Sequence, residues 1–442
     1  MDPPYPIDTF NSWKLVVNRS AVTASKMIKI KAAFPKAAIN FLVILCAFTA
    51  HNSIASTIPS TWVSTTILMQ EYNTIVLNNL TPGTSEIKGS LYVGGIIAAG
   101  SPLSVNSSLM PDGSLGGSLV VGGIIAAPIQ LHSGNVLVGG IVNTSFNNSG
   151  GGNITVGDTV TGAITNTNGG DITIGGNATG IINNVGGGNI TVSGSITNIL
   201  NNENGGDITV GGSLVYAYNN EGGGTATVAG YHNGGVSSPV TLPEVSIGIN
   251  VQDIRTRFEI LSTELSTLST NGIIEAGNLL TPDNEGGITL TPPGEAEPNE
   301  ILVFNVDASF FDGNAPTFSN SDITTVVNVA GANFTIKDFD FADEFENVVF
   351  NFYEAVILNI DSTFGASILA PFADTENTSE IKGSLVTNNY INSGIVSPPV
   401  FVGDLTPWEP EPPVTVPVPA SAWLFFSALV GMAIFRRGQS YS

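Results

Sequence analysis

The densest group of metal-ligand side chains is an acidic cluster in the segment KDFDFADEFEN, with carboxylates at Asp338, Asp340, Asp343, Glu344 and Glu346. Carboxylate oxygens are the ligands that Ca²⁺ prefers. The spacing lacks the glycine and the distal glutamate of a known calcium loop, and a solvated acidic loop is the alternative. We therefore expect no resident cofactor, and Asp338, Asp340 and Asp343 are the candidate ligands for Ca²⁺.

Two carboxylates stand at a spacing that a glycoside hydrolase could use. Asp171 and Asp207 lie 36 residues apart, which is two units of the repeat described below. Stacked coils would separate them by about 9.6 Å, a distance that fits an inverting pair. Asn153 and Asn189 alternate with them, and this alternation favours a turn-capping role with like charges kept apart.

The other candidates for catalysis are histidines and arginines. His132 and His232 have no cysteine or carboxylate nearby at metal-ligand spacing, and we expect surface or turn positions. Arg255 and Arg257 are the paired candidates for a lyase base, but they suit the solvated face of a helix better. We predict that the protein is not an enzyme; the alternative is a polysaccharide lyase or hydrolase on a β-helix scaffold.

Charge excludes one class of partner. Residues 56–415 contain five basic and 34 acidic side chains, a net charge of −29. Such a surface repels the phosphate backbone, so nucleic-acid binding is excluded. The whole chain is 42% hydrophobic and 11% charged, a composition that indicates a folded β-rich protein and not disorder.

Residues 1–55 read as an N-terminal extension followed by a secretory signal peptide. A basic region (Lys29, Lys31 and Lys36) precedes an apolar stretch at residues 37–50 and a small-x-small cleavage site that ends at Ala55. Met27 is the start that best fits this layout. The one cysteine, Cys46, would be removed with the signal, so the mature protein would have no disulfide.

The C-terminus carries a second targeting pattern. After a Pro/Glu-rich linker at residues 405–415, residues 416–442 contain a Pro motif, an apolar stretch at 420–435 and a basic pair. The residues that define the pattern are Val416, Pro417, Pro419, Ala420, Arg436 and Arg437. This order resembles the PEP-CTERM class of sorting signals in its VPxPA variant. The resemblance implies an exosortase-type partner in the membrane; a plain membrane anchor is the alternative.

The central part of the chain repeats with a period of 18 residues. Segments such as NITV and DITI begin at residues 135, 153, 171, 189, 207 and 225. Three columns of residues keep this spacing: Gly152, Gly170, Gly188, Gly206 and Gly224; Asn148, Asn166, Asn184, Asn202 and Asn220; Thr155, Thr173, Thr191, Thr209 and Thr227. This period predicts a mainly β protein, a β-solenoid (parallel β-helix) with 18-residue coils of three short strands.

Strand alternation in this solenoid places Ile154 and Val156 inside and Thr155 outside. Glycine pairs such as Gly169-Gly170 supply positive φ at the turns. The Asn column predicts a ladder of side-chain amides at a corner. Surfaces that bind ice usually carry two Thr columns, and one is evident here, so ice binding is a minor alternative.

The domain extends past the regular repeats at residues 135–234. SEIKGSL occurs at 85–91 and again at 379–385, which predicts equivalent rungs near the two ends of one domain at 67–404. Apolar residues recur at helical spacing from Ile254 to Leu268. They predict one amphipathic α-helix at 251–270 that packs on the side or the end of the solenoid, with Asn271-Gly272 as its stop.

The segments YNTIVLNNL (72–80), NEILVFNVD (299–307), VVFNFYEA (348–355) and both SEIKGSL copies resemble the choice-of-anchor A domain family. That resemblance implies an adhesin-like β-helix with a flanking helix, used with alternative surface anchors. We therefore expect an exported protein that is anchored in the membrane by its C-terminal helix, or released to the cell surface or matrix after sorting. Its expected role is attachment or assembly of an extracellular polysaccharide matrix.

Deletion of residues 416–442 tests the predicted anchor. The truncated protein should appear in the medium, because the apolar stretch that would hold it at the membrane is gone. Immunoblots of cells and medium measure the shift, and substitution of Arg436 and Arg437 by lysine is a matched control that keeps the basic end. Truncated protein that remains bound to cells would contradict the prediction.

Overall fold

The computed structural model describes residues 60–232, 240–276, 288–291, 301–312, 317–318, 323–337, 339 and 341–405, and all structural statements concern these residues. The chain divides into two compact units, residues 1–55 and 56–442, of which the first lies outside the described residues. The predicted signal cleavage site at Ala55 and the predicted sorting signal at 416–442 also lie outside them. None of the described helices is long and apolar enough to cross a membrane.

Within the described residues, helix α1 (Ser60–Glu71) precedes the first strand, and helix α2 (Val251–Ser266) separates two groups of strands. The first group is β1 (Thr74–Val76), β2 (Leu80–Pro82), β3 (Glu86–Ile87), β4 (Leu91–Val93), β5 (Leu103–Val105), β6 (Leu119–Val121), β7 (Ile129–Leu131), β8 (Val136–Val138), β9 (Phe146–Asn148), β10 (Ile154–Val156), β11 (Ile164–Thr167), β12 (Ile172–Ile174), β13 (Ile182–Val185), β14 (Ile190–Val192), β15 (Leu200–Glu203), β16 (Ile208–Val210), β17 (Tyr218–Asn220) and β18 (Ala226–Val228). The second group is β19 (Ile273–Ala276), β20 (Ile288–Thr291), β21 (Leu302–Asp307), β22 (Thr317–Phe318), β23 (Thr325–Ala330), β24 (Asn333–Ile336), β25 (Phe341–Asn351), β26 (Ile357–Ile360), β27 (Phe364–Asn377), β28 (Ile381–Lys382), β29 (Leu385–Asn392) and β30 (Val396–Ser397). A 3-10 helix spans Ala308–Asp312.

Each coil of the repeat contributes to three parallel sheets. In one coil, β10 belongs to sheet A, Val160 forms a single-residue bridge in sheet B, and β11 belongs to sheet C. The predicted β-solenoid is therefore confirmed. The middle strand of each regular coil is shorter than expected, because bends at residues 157–158 and 162 flank Val160 on both sides.

The core consists of columns of aliphatic side chains stacked along the solenoid. Ile154, Ile172, Ile190 and Ile208 are register partners in successive strands, and all are buried. The outward Thr between each pair of inward residues is half-buried, as strand alternation predicts. Burial of each isoleucine removes its side chain from water and contributes about 1.5–3 kcal/mol.

The corner between two coils requires glycine at Gly170. Its φ is +99°, a conformation that side chains with a Cβ resist. A Cβ at this position would also collide with the carbonyl oxygen of Gly152 in the preceding coil. The 18-residue spacing of the glycine column thus follows from the close approach of stacked corners.

The Asn column lies inside this corner, and its members Asn148, Asn166, Asn184 and Asn202 are fully buried. Asn166 Nδ2 donates to the carbonyl oxygens of Gly169 (2.9 Å) and Gly152 (3.1 Å). Asn184 Nδ2 donates to Asn202 Oδ1 at 3.3 Å, so amide-to-amide contacts of the predicted ladder are present. The main role of the column is nevertheless to satisfy glycine carbonyls, which otherwise would be buried without partners.

The order of coils differs from the order of the chain. In sheet A, β29 pairs with β1, and β1 pairs with β4. The complete order of sheet A is β21, β23, β25, β27, β29, β1, β4, β6, β8, β10, β12, β14, β16 and β18. The prediction that the two SEIKGSL copies mark opposite ends of the domain is wrong. Leu385 and Leu91 both pair with Thr74, because the C-terminal coils stack directly on the N-terminal one.

Helix α2 packs on the side of the solenoid, across sheet A, and spans Val251–Ser266, four residues less than the predicted 251–270. Asn250 caps it by accepting from the backbone N–H of Asp253. Its buried apolar residues are Ile254, Phe258, Leu261 and Leu265. They lie against outward-facing residues of sheet A, including Val326, Val349 and Val386. Asn351 Nδ2 donates to the carbonyl oxygen of Ser262 at 2.9 Å and fixes the helix in place.

The segment after α2 covers the outer edge of β21. Val303 N–H donates to Asn271 Oδ1 at 2.6 Å, and Asn305 N–H donates to Thr270 Oγ1 at 3.1 Å. In turn, the N–H of Asn271 donates a hydrogen bond to the carbonyl oxygen of Val303 at 3.1 Å. The prediction that Asn271-Gly272 ends the helix is wrong, because the helix ends at Ser266 with Thr267 as its C-cap. Asn271 instead caps one end of sheet A, where an unpaired strand edge would otherwise be exposed.

Replacement of a buried Asn should destabilise the stack. Asn184→Ala leaves buried glycine and Asn202 groups without a donor, and we expect a loss of about 1–3 kcal/mol in the free energy of unfolding. Urea unfolding followed by circular dichroism measures it. The control is Thr165→Ala on the outward face of the same sheet, whose side chain makes no hydrogen bond to a described residue, and there we expect about 0.5 kcal/mol or less. Equal losses for the two variants would contradict the structural role of the column.

Candidate functional surface

Only part of the acidic cluster lies within the described residues. Asp338 and Asp340 lie outside the described residues, and Asp343 is exposed on β25. Among the residues that are described, no group of three or more His, Cys, Asp or Glu side chains could hold a metal ion. Calcium binding by Asp338, Asp340 and Asp343 stays a prediction.

The Asp/Asn column that precedes sheet A links successive coils. Asn189 N–H donates to Asp171 Oδ1 at 2.7 Å, and Thr225 N–H donates to Asp207 Oδ1 at 2.8 Å. Asn153 Oδ1 accepts from the N–H of Asp171 in the same way at 2.8 Å. These contacts agree with the turn-capping interpretation, because each side chain satisfies the backbone of the next coil.

Electrostatics at Asp207 do not suit a general acid. Hydrogen bonds from the backbone N–H and the hydroxyl of Thr225 hold the pKa of Asp207 below its usual value. An inverting hydrolase needs one carboxyl group with a raised pKa that is protonated at working pH. Asp207 is instead an ionised, exposed acceptor, and its geometry gives no support to the hydrolase alternative.

One nucleophile–base pair is present, and the sequence did not reveal it. Ser104 Oγ lies 3.0 Å from His132 Nε2 on the outer face of sheet C. Within the described part of the chain, no carboxylate orients His132 from its other side. Glu86 is the strand neighbour of Ser104 and not of the histidine. Among the described residues, the pair therefore lacks the third group of a catalytic triad.

The remaining candidates have structural positions. His232 bridges to Leu214 at an inward position of sheet B. Arg257 forms an ion pair with Asp253 on the surface of α2, as expected of a solvated face. Arg255, expected on the same solvated face, instead reaches across to sheet A, where it donates to Asn388 Oδ1 at 3.0 Å and to the carbonyl oxygen of Leu77 at 3.3 Å. It thereby ties α2 to two coils.

The most regular exposed surface of the described residues is the threonine face, formed by the outward side chains of β10, β12, β14, β16 and β18. Its residues are Thr155, Thr173, Thr191, Thr209 and Thr227, which are register partners from strand to strand. Neighbouring members are therefore about 4.8 Å apart. None of the five hydroxyls makes a hydrogen bond to another described residue, and all five are half-buried.

The same outward column is apolar where the helices cover it. In β1, β4, β6 and β8 the corresponding residues are Ile75, Tyr92, Val120 and Leu137. They pack with α1 and α2 in a second apolar cluster. The change from apolar residues to threonine at β10 therefore coincides with the end of the helix-covered part of the sheet.

Two borders delimit the threonine face. On one side runs the exposed Asp/Asn column with Asp171 and Asp207. On the other side, residues 240–250 run past the glycines that follow the sheet A strands, such as Gly175 and Gly211. A Cβ built on Gly175 would lie 3.1 Å from the Cβ of Val245, and one on Gly211 would lie 3.4 Å from Leu242 Cδ1. The threonines thus line a strip of sheet with an acidic and an apolar border.

A second threonine column was missed in the sequence. Thr161, Thr179 and Thr197 follow the bridged residues of sheet B, and all three are exposed. They keep the same 18-residue spacing, so the period contained the signal. Because they belong to a different sheet, they do not widen the threonine face.

Comparison with known proteins gives one family and one solved structure. A family model described as "Putative Ice-binding-like adhesive domain" matches residues 66–397. The crystal structure of an ice binding protein from an Antarctic bacterium, Flavobacteriaceae, is 13% identical, covers 75% of this chain and 97% of its own, and has a TM-score of 0.16. A TM-score this low does not establish structural similarity between the two proteins. A search of curated proteins found no match.

The pKa of Asp207 should respond to Thr225. The pKa is lowered in the folded protein, so its contribution to stability is present above the unfolded-state value and is lost as pH falls through the folded-state value. Thr225→Val removes the hydroxyl donor but keeps the backbone N–H, so the pKa should rise towards its ordinary value without reaching it. NMR titration of the side-chain carboxyl measures this, with Thr227→Val as control. An identical titration in wild type and Thr225→Val would contradict the assignment.

Proposed function

The chain belongs to the ice-binding-like adhesive domain family, and we propose that it is an exported, surface-held adhesive protein whose threonine face binds extracellular polysaccharide. Its proposed role is attachment of cells or assembly of their polysaccharide matrix. An exosortase-type enzyme and the membrane are the further partners proposed from the C-terminal pattern at residues 416–442. The family description supports an adhesin-like protein at the surface; the ligand and the anchor are our proposals.

The proposal rests on the row of threonine hydroxyls on the threonine face, which make no hydrogen bond to a described residue. Five threonines repeat at the strand spacing, and their hydroxyls have no partner among the described residues. Polysaccharides are extended chains of hydroxyl groups that both donate and accept hydrogen bonds, as threonine does. Rows of threonine held rigidly by a sheet lose little side-chain entropy on binding such a chain.

The position of the C-terminal exit agrees with surface display. Asp404 N–H donates to Thr324 Oγ1 at 2.9 Å, and Val402 N–H donates to the carbonyl oxygen of Glu346 at 2.8 Å. The described chain therefore ends beside β23 and β25. Twelve inter-strand steps of sheet A, or about 58 Å, separate β23 from β18. A C-terminal anchor would leave the threonine face on the far half of the solenoid, away from the membrane.

The net charge indicates the class of polysaccharide. Residues 56–415 carry 29 more acidic than basic side chains, and Asp171 and Asp207 border the threonine face. Anionic polymers would be repelled at low ionic strength. We therefore propose a neutral polysaccharide as the ligand.

Ice binding is the second candidate, and the same threonine face favours it. A flat row of threonines at constant spacing presents hydroxyl and methyl groups in a repeating pattern, which ordered water could match. The face is one residue wide on sheet A, and the other threonine column lies on sheet B. The narrow face favours a polymer chain over an extended crystal plane.

Removal of three hydroxyls tests both candidates. The variant Thr173→Val/Thr191→Val/Thr209→Val keeps the shape and β-propensity of the face. Loss of three hydrogen bonds of about 1 kcal/mol each should weaken binding to the neutral polysaccharide of the producing cells by about 100-fold. Calorimetric titration measures affinity, and thermal hysteresis of the same samples reports ice binding.

The matched control is Thr165→Val on the outer face of sheet C, where affinity should not change. Unchanged polysaccharide binding in the triple variant would contradict the proposed ligand surface. Thermal hysteresis that is present in the wild type and lost in the triple variant, with no polysaccharide binding in either, would replace it with ice binding.

A further inference from the structure

The last coil of the regular array differs from all coils before it. Tyr216 occupies the column of Gly162, Gly180 and Asn198, and Tyr231 occupies the column of Asn177, Ser195 and Ser213. Val215 replaces the threonines of the sheet B column. We call this end of the solenoid the tip, formed by Ile199, Val215, Tyr216, Tyr218 and Tyr231. All five are exposed, Tyr231 by 66% and Tyr216 by 56%.

The inward columns also change in this coil. Leu200 is followed by Tyr218, Ile208 by Ala226, and Leu214 by His232. Tyr218 stands in a column that is buried in every earlier coil, yet it is 38% exposed because no described coil follows. The Nδ1 atom of His232 is buried and has no hydrogen-bond partner among the described residues.

Among the described residues, no strand pairs with the outer edge of β18 at the tip. In earlier coils the first residue of each sheet A strand donates its N–H to the next coil: Ile190 to the carbonyl oxygen of Asp207 (2.9 Å), and Ile208 to that of Thr225 (2.8 Å). Ala226 is the equivalent residue of β18, and the described residues offer it no acceptor. An unpaired edge of this kind is a template for another strand. The opposite end of sheet A differs, because Thr270 and Asn271 cap β21.

From these observations we infer that the tip is a self-association surface, at which a second copy of this chain docks tip to tip. A second tip presents open edges of β17 and β18 at the same spacing, related by a two-fold axis. Its tyrosines supply the aromatic contacts typical of interface cores. The last coil, residues 214–232, has Glu221 as its one carboxylate. Two copies of this acidic protein can therefore approach here with little repulsion.

Such a contact would be independent of the proposed polysaccharide ligand. The tip lies at the far end of sheet A from the C-terminal exit beside β23. Proteins held on two facing cells by their C-terminal segments would meet through their tips. The contact would thus link cells directly, whereas the threonine face would bind matrix.

Cross-linking in the full chain tests the inference. Thr227→Cys places a thiol on the last coil, and Thr155→Cys places one in the same column four coils away, both in a Cys46→Ser background that removes the native thiol. A short bismaleimide should give cross-linked dimers with Thr227→Cys and at least tenfold fewer with Thr155→Cys. Association through the C-terminal segment would not bring position 227 of two copies together.

A charge at the open edge should abolish the contact. Ala226→Asp added to Thr227→Cys brings two carboxylates together and should reduce the dimer at least tenfold, with an unchanged far-ultraviolet spectrum. If that variant does not fold, Tyr218→Asp serves the same purpose. The inference is overturned by an absence of dimer at position 227, by equal cross-linking at 155 and 227, or by dimers that a folded Ala226→Asp variant retains. Polysaccharide affinity is measured on the chain with Thr155 and Thr227 intact, because both belong to the threonine face, and it reports separately on the proposed function.

Discussion

The structure depends on the backbone hydrogen bonds that join each coil to the next. Ile154 N–H donates to the carbonyl oxygen of Asp171, and Ile172 N–H donates to that of Asn189, each at 2.8 Å. Coils elsewhere in sheet A differ in length, with the extra residues between strands, as between the partners Leu91 and Leu119. In the regular array every coil has 18 residues, so the bonds and the inward side chains keep one register. Constant coil length therefore aligns the aliphatic core, the buried Asn column and the threonine face together. In a chain with no described disulfide, this register and the apolar core stabilise the fold.

Sheet A shows how one scaffold serves two purposes. Its outward column is apolar from β21 to β8, where α1 and α2 cover it, and threonine from β10 to β18, where neither helix covers it and the side chains are half-buried. The aliphatic half binds the helices through burial, and Asn328 and Asn351 fix the register by donating to the carbonyl oxygens of Leu265 and Ser262. The threonine half has the same backbone arrangement, and its hydroxyls make no hydrogen bond to a described residue. One half of the column thus stabilises the packing of the helices, and the other half is the surface proposed to bind polysaccharide.

Most of the regular array could be predicted from the sequence, because its period reveals both coil length and the inward columns. The amphipathic spacing from Ile254 to Leu265 likewise predicted α2. Coil order could not be predicted. The partners Leu302, Thr325 and Val348 are 23 residues apart, whereas Ile368 and Leu385 are 17 apart, so no period was visible. The contact of β29 with β1 joins residues more than 300 positions apart, which no local pattern encodes.

For the functional surface, the sequence predicted the first threonine column but not its borders or the open tip. The border at residues 240–250 depends on a chain reversal, and the tip depends on where the stack ends. The duplicated SEIKGSL segments were a true signal of equivalent coils whose position was misjudged. The N-terminal signal and the sorting pattern at 416–442 remain predictions, because they fall outside the described residues.

The most direct test of the stack is the distance between spin labels at positions 155 and 227, measured by pulsed electron resonance on Thr155→Cys/Thr227→Cys in a Cys46→Ser background. Four inter-strand steps separate the two backbone positions by about 19 Å. Stacked coils should give a single narrow distribution near that value, allowing for the label arms. A broad distribution centred far beyond it would mean that the 18-residue units do not stack as successive coils, and it would contradict the account.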